Sequence, residues 1–103
     1  MKNLKFTQEA IKGIKQLKNL NNDTFMEDFE LQLDRIKLYG EKAGISLQNK
    51  YGRDLRGYYK IYFADQSWRI VFREVDKKFE LVEITLVAPR DIVYELADII
   101  IND

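Results

Sequence analysis

The apolar residues of this chain repeat with two different periods. Near the N-terminus they recur with helical spacing, and from residue 55 onward they alternate, every second position. In the helical part, KNLKF at 2–6 predicts a short strand and Thr7 an N-cap. Ala10, Ile11, Ile14, Leu17 and Leu20 then mark one face of a helix whose other face carries Lys12, Lys15 and Lys18. The cluster NLNND at 19–23 predicts a turn. Thr24 and Glu27 form a capping box for a second helix, with Phe25, Phe29, Leu33 and Ile36 as its buried stripe and Gly40 or Gly44 as its end. Two helices joined by a short turn make an α-hairpin.

In the alternating part, Tyr59, Ile61 and Phe63 alternate with Lys60 and Tyr62, and Trp68, Ile70 and Phe72 alternate with Arg69, Val71 and Arg73. A two-residue turn at Asp65–Gln66 sets Phe63 opposite Trp68, Ile61 opposite Ile70 and Tyr59 opposite Phe72, with every core residue on one face. A third strand over 79–88 is expected to place Val82 opposite Phe72, Ile84 opposite Ile70 and Leu86 opposite Trp68. Pro89 marks the exit from the sheet, and RDIVYELADIII predicts a last helix with Val93, Leu96, Ala97 and Ile100 on one face. The expected order is β-α-α-β-β-β-α, one α+β domain over 1–103 with the helical hairpin packed on an antiparallel sheet.

Composition narrows the chemistry. At 103 residues, 46% hydrophobic and 33% charged, the chain can bury a modest core without disulfides. It has neither cysteine nor histidine, so thiol chemistry is excluded, a zinc site is disfavoured and the usual general base is missing. No cofactor is called for. The start MKNLKFTQEA lacks the apolar core of a signal peptide, and no apolar run has membrane-spanning length, so a cytoplasmic protein without membrane contact is expected. A formal net charge of zero conceals segregation. Residues 49–73 carry six basic residues against two acids, and residues 74–103 carry three against eight.

That basic stretch contains the hairpin. The sheet face turned away from the expected core holds Lys60, Tyr62, Arg69, Arg73, Glu83 and Thr85. Clustered cations beside phenols suit a phosphodiester backbone and stacked bases. They also suit RNA cleavage, where the substrate 2′-OH is the nucleophile and the protein has to remove a proton and neutralise a phosphorane. Glu83 is the one carboxylate expected on that face, either as a base or as the ion-pair partner of Lys60 or Arg69. A solvated sheet face would show the same alternation, so residue types alone leave both readings open.

The runs LRGYYKI, WRIVF, LVAPR and VYELA, in that order, resemble the RelE/ParE family of toxins from bacterial toxin–antitoxin pairs. The resemblance implies a microbial-RNase-like α+β fold and, in the RelE branch, cleavage of mRNA in the ribosomal A site, restrained by a cognate antitoxin. It implies that Lys60 is a catalytic lysine, that Arg69 and Arg90 contact the scissile phosphate, and that Tyr94 stacks on a base or helps move the proton. Arg56 matches a contact to the substrate backbone, and Tyr62 and Arg73 join it as substrate-binding candidates. Tyr62 stands where RelE enzymes usually have a second lysine, the interval from Arg90 to Tyr94 is two residues short, and the sequence pI is near 6.3. A ParE-like toxin that binds DNA gyrase without cutting RNA, or a catalytically degenerate relative, therefore remains an alternative. The expected partners are the antitoxin, the ribosome and mRNA, and Ile92, Ile99, Ile100 and Ile101 suggest a last helix incompletely covered by its own domain.

Overall fold

The computed structural model describes residues 1–50 and 52–102. A mixed five-stranded sheet, in the order β1-β5-β4-β3-β2, separates two layers of helix. The elements in chain order are β1 (Asn3–Phe6), α1 (Gln8–Asn19), α2 (Asp23–Tyr39), a 3₁₀ turn (Gly40–Ala43), β2 (Ile45–Lys50), β3 (Arg53–Phe63), β4 (Trp68–Asp76), β5 (Leu81–Pro89) and α3 (Val93–Asn102). The α+β class is as expected. The sheet is not purely antiparallel, however, because β1 runs parallel to β5.

Strand β2 was not anticipated. It is a short edge strand on which Leu47 is the one apolar side chain buried, so it has no alternation to read. Helix α1 begins at the expected Thr7 cap, whose hydroxyl accepts from Ala10 N–H at 3.0 Å. Helix α2 is capped by Asn22, which accepts from Phe25 N–H at 3.1 Å, and not by Thr24. Any of the polar residues at 19–24 could have capped it; burial of Phe25 and Phe29 against the sheet selects the start. Its end is at Gly40 (φ +60), as the glycine signal predicted.

Helix α1 lies closer to the sheet than its sequence stripe suggests. Ala10, Gly13 and Leu17 are buried while Ile11 and Leu20 are exposed. A Cβ on Gly13 would lie 1.8 Å from the Val87 carbonyl oxygen, so glycine permits the approach and turns the contact face away from Ile11.

The β3–β4 register is the expected one, with Phe63, Ile61 and Tyr59 facing Trp68, Ile70 and Phe72. The central turn residues Asp65 and Gln66 both have positive φ, and Ser67 N–H closes the turn onto the Ala64 carbonyl at 3.0 Å. The β4–β5 register is corrected: Phe72 faces Ile84, Ile70 faces Val87 and Trp68 faces Pro89. Between Val71↔Leu86 and Phe72↔Ile84 one extra residue, Thr85, bulges from β5. Past the bulge the parity reverses. Val82, Ile84 and Val87 therefore join the core under α1 and α2, whereas Leu86 and Ala88 join a second core beneath α3.

The face expected to be polar is thus half covered. Val71, Leu86, Ala88, Leu55 and Leu47 pack there against Val93 and Ala97 of α3. Each fully buried large apolar side chain contributes about 1.5–3 kcal/mol, enough to fix α3 on the sheet beside the cations. Among the described residues no helix is long and apolar enough to cross a membrane.

Candidate functional site

Three strand ends and the first turn of α3 meet at one side of this second face. Lys60 and Tyr62 project from β3, and Tyr62 lies directly across from Arg69 of β4. Arg90 follows β5, its N–H donating to the Ser67 carbonyl at 2.8 Å, which ties the end of β5 to the β3–β4 turn. Tyr94, in the first turn of α3, leans back over the sheet and accepts a hydrogen bond from Lys60 Nζ at 2.8 Å. Together these residues line an open cleft of about 610 Å³, completed by Arg53, Asp91 and Glu95. Four cations face two carboxylates, leaving the cleft with an excess of positive charge suited to a polyanion.

Two phenols hold two cations. The Tyr62 ring lies 4.2 Å from the Arg69 guanidinium and 5.1 Å from Lys60 Nζ. The Tyr94 ring lies 5.4 Å from Lys60 Nζ and 6.0 Å from Arg69. Lys60 and Arg69 are only 5% and 7% exposed, yet among the described residues neither has a carboxylate in ion-pair range. Burial acts to lower the Lys60 pKa, but the Tyr94 and Tyr62 hydroxyls outweigh it and hold the ammonium above its ordinary value. Conversely, Lys60, with Arg69 adding to it, lowers the pKa of the Tyr62 phenol against the opposing effect of burial. Arg69 Nη1 donates to the Gln66 carbonyl at 2.9 Å, while its Nε is buried with no hydrogen-bond partner among the described residues. A buried, unpaired guanidinium N–H costs about 1–3 kcal/mol, and an incoming anion would remove that cost.

The other sequence candidates lie elsewhere. Glu83 faces Arg73, not Lys60 or Arg69: Arg73 Nε lies 3.3 Å from Glu83 Oε1, and Thr85 Oγ1 donates to the same oxygen at 3.0 Å. The bulge at Thr85 explains this correction, since it sets the register that aligns Glu83 with Arg73. Arg73 also stacks on Tyr58 at 5.1 Å, and neither it nor Glu83 lines the cleft. Arg56 is exposed and makes two 2.8 Å bonds to Asp54, whose carboxyl is held at about 2 by that guanidinium. Arg53, Asp91 and Glu95 were missed. Asp91 and Glu95 flank Arg90 and Tyr94 in sequence and carried that signal. Arg53 is an odd number of residues from Lys60, so strict alternation sends it to the other face. The strand breaks alternation between Leu55 and Tyr58, which both reach the α3 side, and this brings Arg53 round.

Fold and site thus define an α+β domain with a cationic, phenol-lined cleft where a mixed sheet meets its last helix. Compared with protein-family models, curated proteins and solved structures, the chain has no match. Among the described residues, no group of three or more acidic side chains is arranged to hold a metal ion.

Proposed function

We propose that this chain is a RelE-like toxin of a bacterial toxin–antitoxin pair, a metal-independent endoribonuclease that cleaves mRNA on the ribosome in the cytoplasm. The observation that carries the reading is the convergence of Lys60, Arg69, Arg90 and Tyr94, from separate segments, on one open cleft. In such a cleft the 2′-oxygen of the substrate attacks the adjacent phosphorus, the bond to the 5′-oxygen breaks, and a 2′,3′-cyclic phosphate forms. The proton of the 2′-OH passes to a base, and the departing 5′-oxygen takes one from an acid.

Each residue has a fitting role. Arg69, with a free buried N–H, and Arg90 hold the non-bridging oxygens as charge builds on the phosphorane. Lys60 stays protonated and so serves as electrostatic stabiliser or proton donor, not as base. Glu83 is occupied by Arg73 and Thr85, which leaves the proton-accepting role to a phenol. Tyr62, with its lowered pKa and its ring on Arg69, is the better base; Tyr94 orients Lys60. An antitoxin would cover this cleft and the outward side of α3 with the residue before it, where Ile99 and Ile92 are 55% and 41% exposed.

The experiment is to locate new mRNA 5′ ends shortly after pulsed expression in a bacterium, beside an Arg69→Ala control. Cuts confined to translated regions, in phase with codons and absent from the control, are the expected result. Arrested growth with an intact transcriptome would overturn the nuclease reading in favour of a gyrase-directed toxin.

A further inference from the structure

The six arginines of this chain divide into two groups. Arg53, Arg56, Arg73 and Arg90 each have a carboxylate in ion-pair range, those of Asp98, Asp54, Glu83 and Asp91. Arg69 and Arg35 are each held by a neutral oxygen instead: Arg69 by the Gln66 carbonyl, and Arg35 by the Gln32 side-chain amide, to which its Nη1 donates at 3.0 Å. No described carboxylate lies in ion-pair range of Arg35. Its position is nevertheless built. Buried Gln32 donates through Nε2 to Asp28 Oδ1 at 3.1 Å, which turns its amide oxygen toward Arg35. The second Asp28 oxygen accepts from Ala64 N–H at 2.7 Å, so the same carboxylate anchors α2 to the β3–β4 turn that holds Arg69.

Arg35 borders a second depression, of about 310 Å³, whose floor includes Lys60 and Tyr62 of the cleft already described. The two spaces therefore adjoin across β3. They meet there because β2 begins at Ile45, opposite Lys60, and leaves Ile61–Phe63 without a strand on that edge. A chain passing through the cleft can continue over this open edge past the Tyr62 ring to Arg35.

We propose that the anion-binding surface continues over the open edge of β3 to Arg35, which takes a second phosphodiester of a single-stranded RNA whose first is bound at Lys60 and Arg69. The inference rests on the ribonuclease reading and extends its site from one phosphate to a track along the strand. A guanidinium held by a neutral amide keeps its full charge for a phosphate, and the phenol between the two phosphates offers a stacking surface for the intervening base.

The test is the affinity of the full chain for 2′-O-methyl oligoribonucleotides, which lack the attacking hydroxyl, as a dinucleotide with its single phosphodiester and as an octanucleotide across a salt series. The octanucleotide is expected to bind more tightly than the dinucleotide. Arg35→Ala should weaken the octanucleotide several-fold, lower the slope of log K against log salt by about 0.7, the contribution of one phosphate on a single strand, and leave the dinucleotide unchanged. Arg35→Lys should restore the slope. Arg69→Ala should weaken both oligomers. If Arg69→Ala weakens both and Arg35→Ala neither, the track is refuted and the cleft reading survives. If neither oligomer binds the unmodified protein at low salt, the cleft reading falls and the track with it.

Discussion

Replacing Arg69 by methionine separates a functional cation from a structural one. The side chain is 7% exposed, donates one bond to the Gln66 carbonyl at 2.9 Å, stacks on Tyr62 at 4.2 Å and leaves Nε unpaired. Methionine keeps the aliphatic stem and forfeits a charge-assisted hydrogen bond of about 1.5–3 kcal/mol and a cation–π contact of about 1 kcal/mol. Against this, it removes the buried orphan N–H, about 1–3 kcal/mol, and relieves the desolvation of a guanidinium that has no counter-ion among the described residues. The opposing contributions are of similar size, so Arg69→Met should be neutral or mildly stabilising. Cleavage, by contrast, should fall about 10²–10³-fold, as expected when one preorganised transition-state donor is lost.

Arg73→Met is the mirror experiment. It strips the partner from Glu83, whose side chain is 10% exposed, while Arg73 itself is 41% exposed and partly screened. After discounting for that exposure the loss is about 1–2 kcal/mol, a fall in melting temperature of roughly 4–15 °C, with cleavage retained in the folded protein. Both variants are measured by thermal melting and by cleavage of mRNA on programmed ribosomes. A melting temperature that drops by more than about 8 °C for Arg69→Met, with cleavage unchanged, would make Arg69 a structural tie and refute the reasoning.

Two further outcomes follow from the same geometry. The Tyr62 phenol is lowered from its ordinary 10.0 and the Lys60 ammonium raised from 10.5; a base must lose its proton and the cation keep it. The cleavage rate should therefore rise with pH through a limb lying below 10 and fall only above 10.5, and Tyr62→Phe should abolish the rising limb; a limb that persists in this variant assigns the proton to another group. Gly13→Ala should destabilise the fold by about 3 kcal/mol, because the added methyl meets the Val87 backbone at 1.8 Å with no flexible side chain to yield; an unchanged denaturation midpoint would show that α1 can lift off the sheet at little cost.

What the chain determines locally is its helices, the helical cap at Thr7, the stop at Gly40 and the β3–β4 hairpin. Strict alternation across Asp65–Gln66 allows one register that buries Phe63, Ile61 and Tyr59 together with Trp68, Ile70 and Phe72. Lys60 and Arg69 sharing a face follows from that register alone. The register of β5 was not legible, because its apolar run 81–89 is buried on both faces and loses the period-2 signal. The bulge at Thr85, forced by packing on α1 and α3 at once, decided that Glu83 meets Arg73 and stays out of the cleft. Docking of α3 against β3 and β5 likewise brought Tyr94 onto Lys60, a contact between residues 34 apart in sequence. Side-chain periodicity reports which face a residue takes. Only the packing of distant elements on both sides of the sheet determined which charges neutralise each other and which remain free to bind an anion.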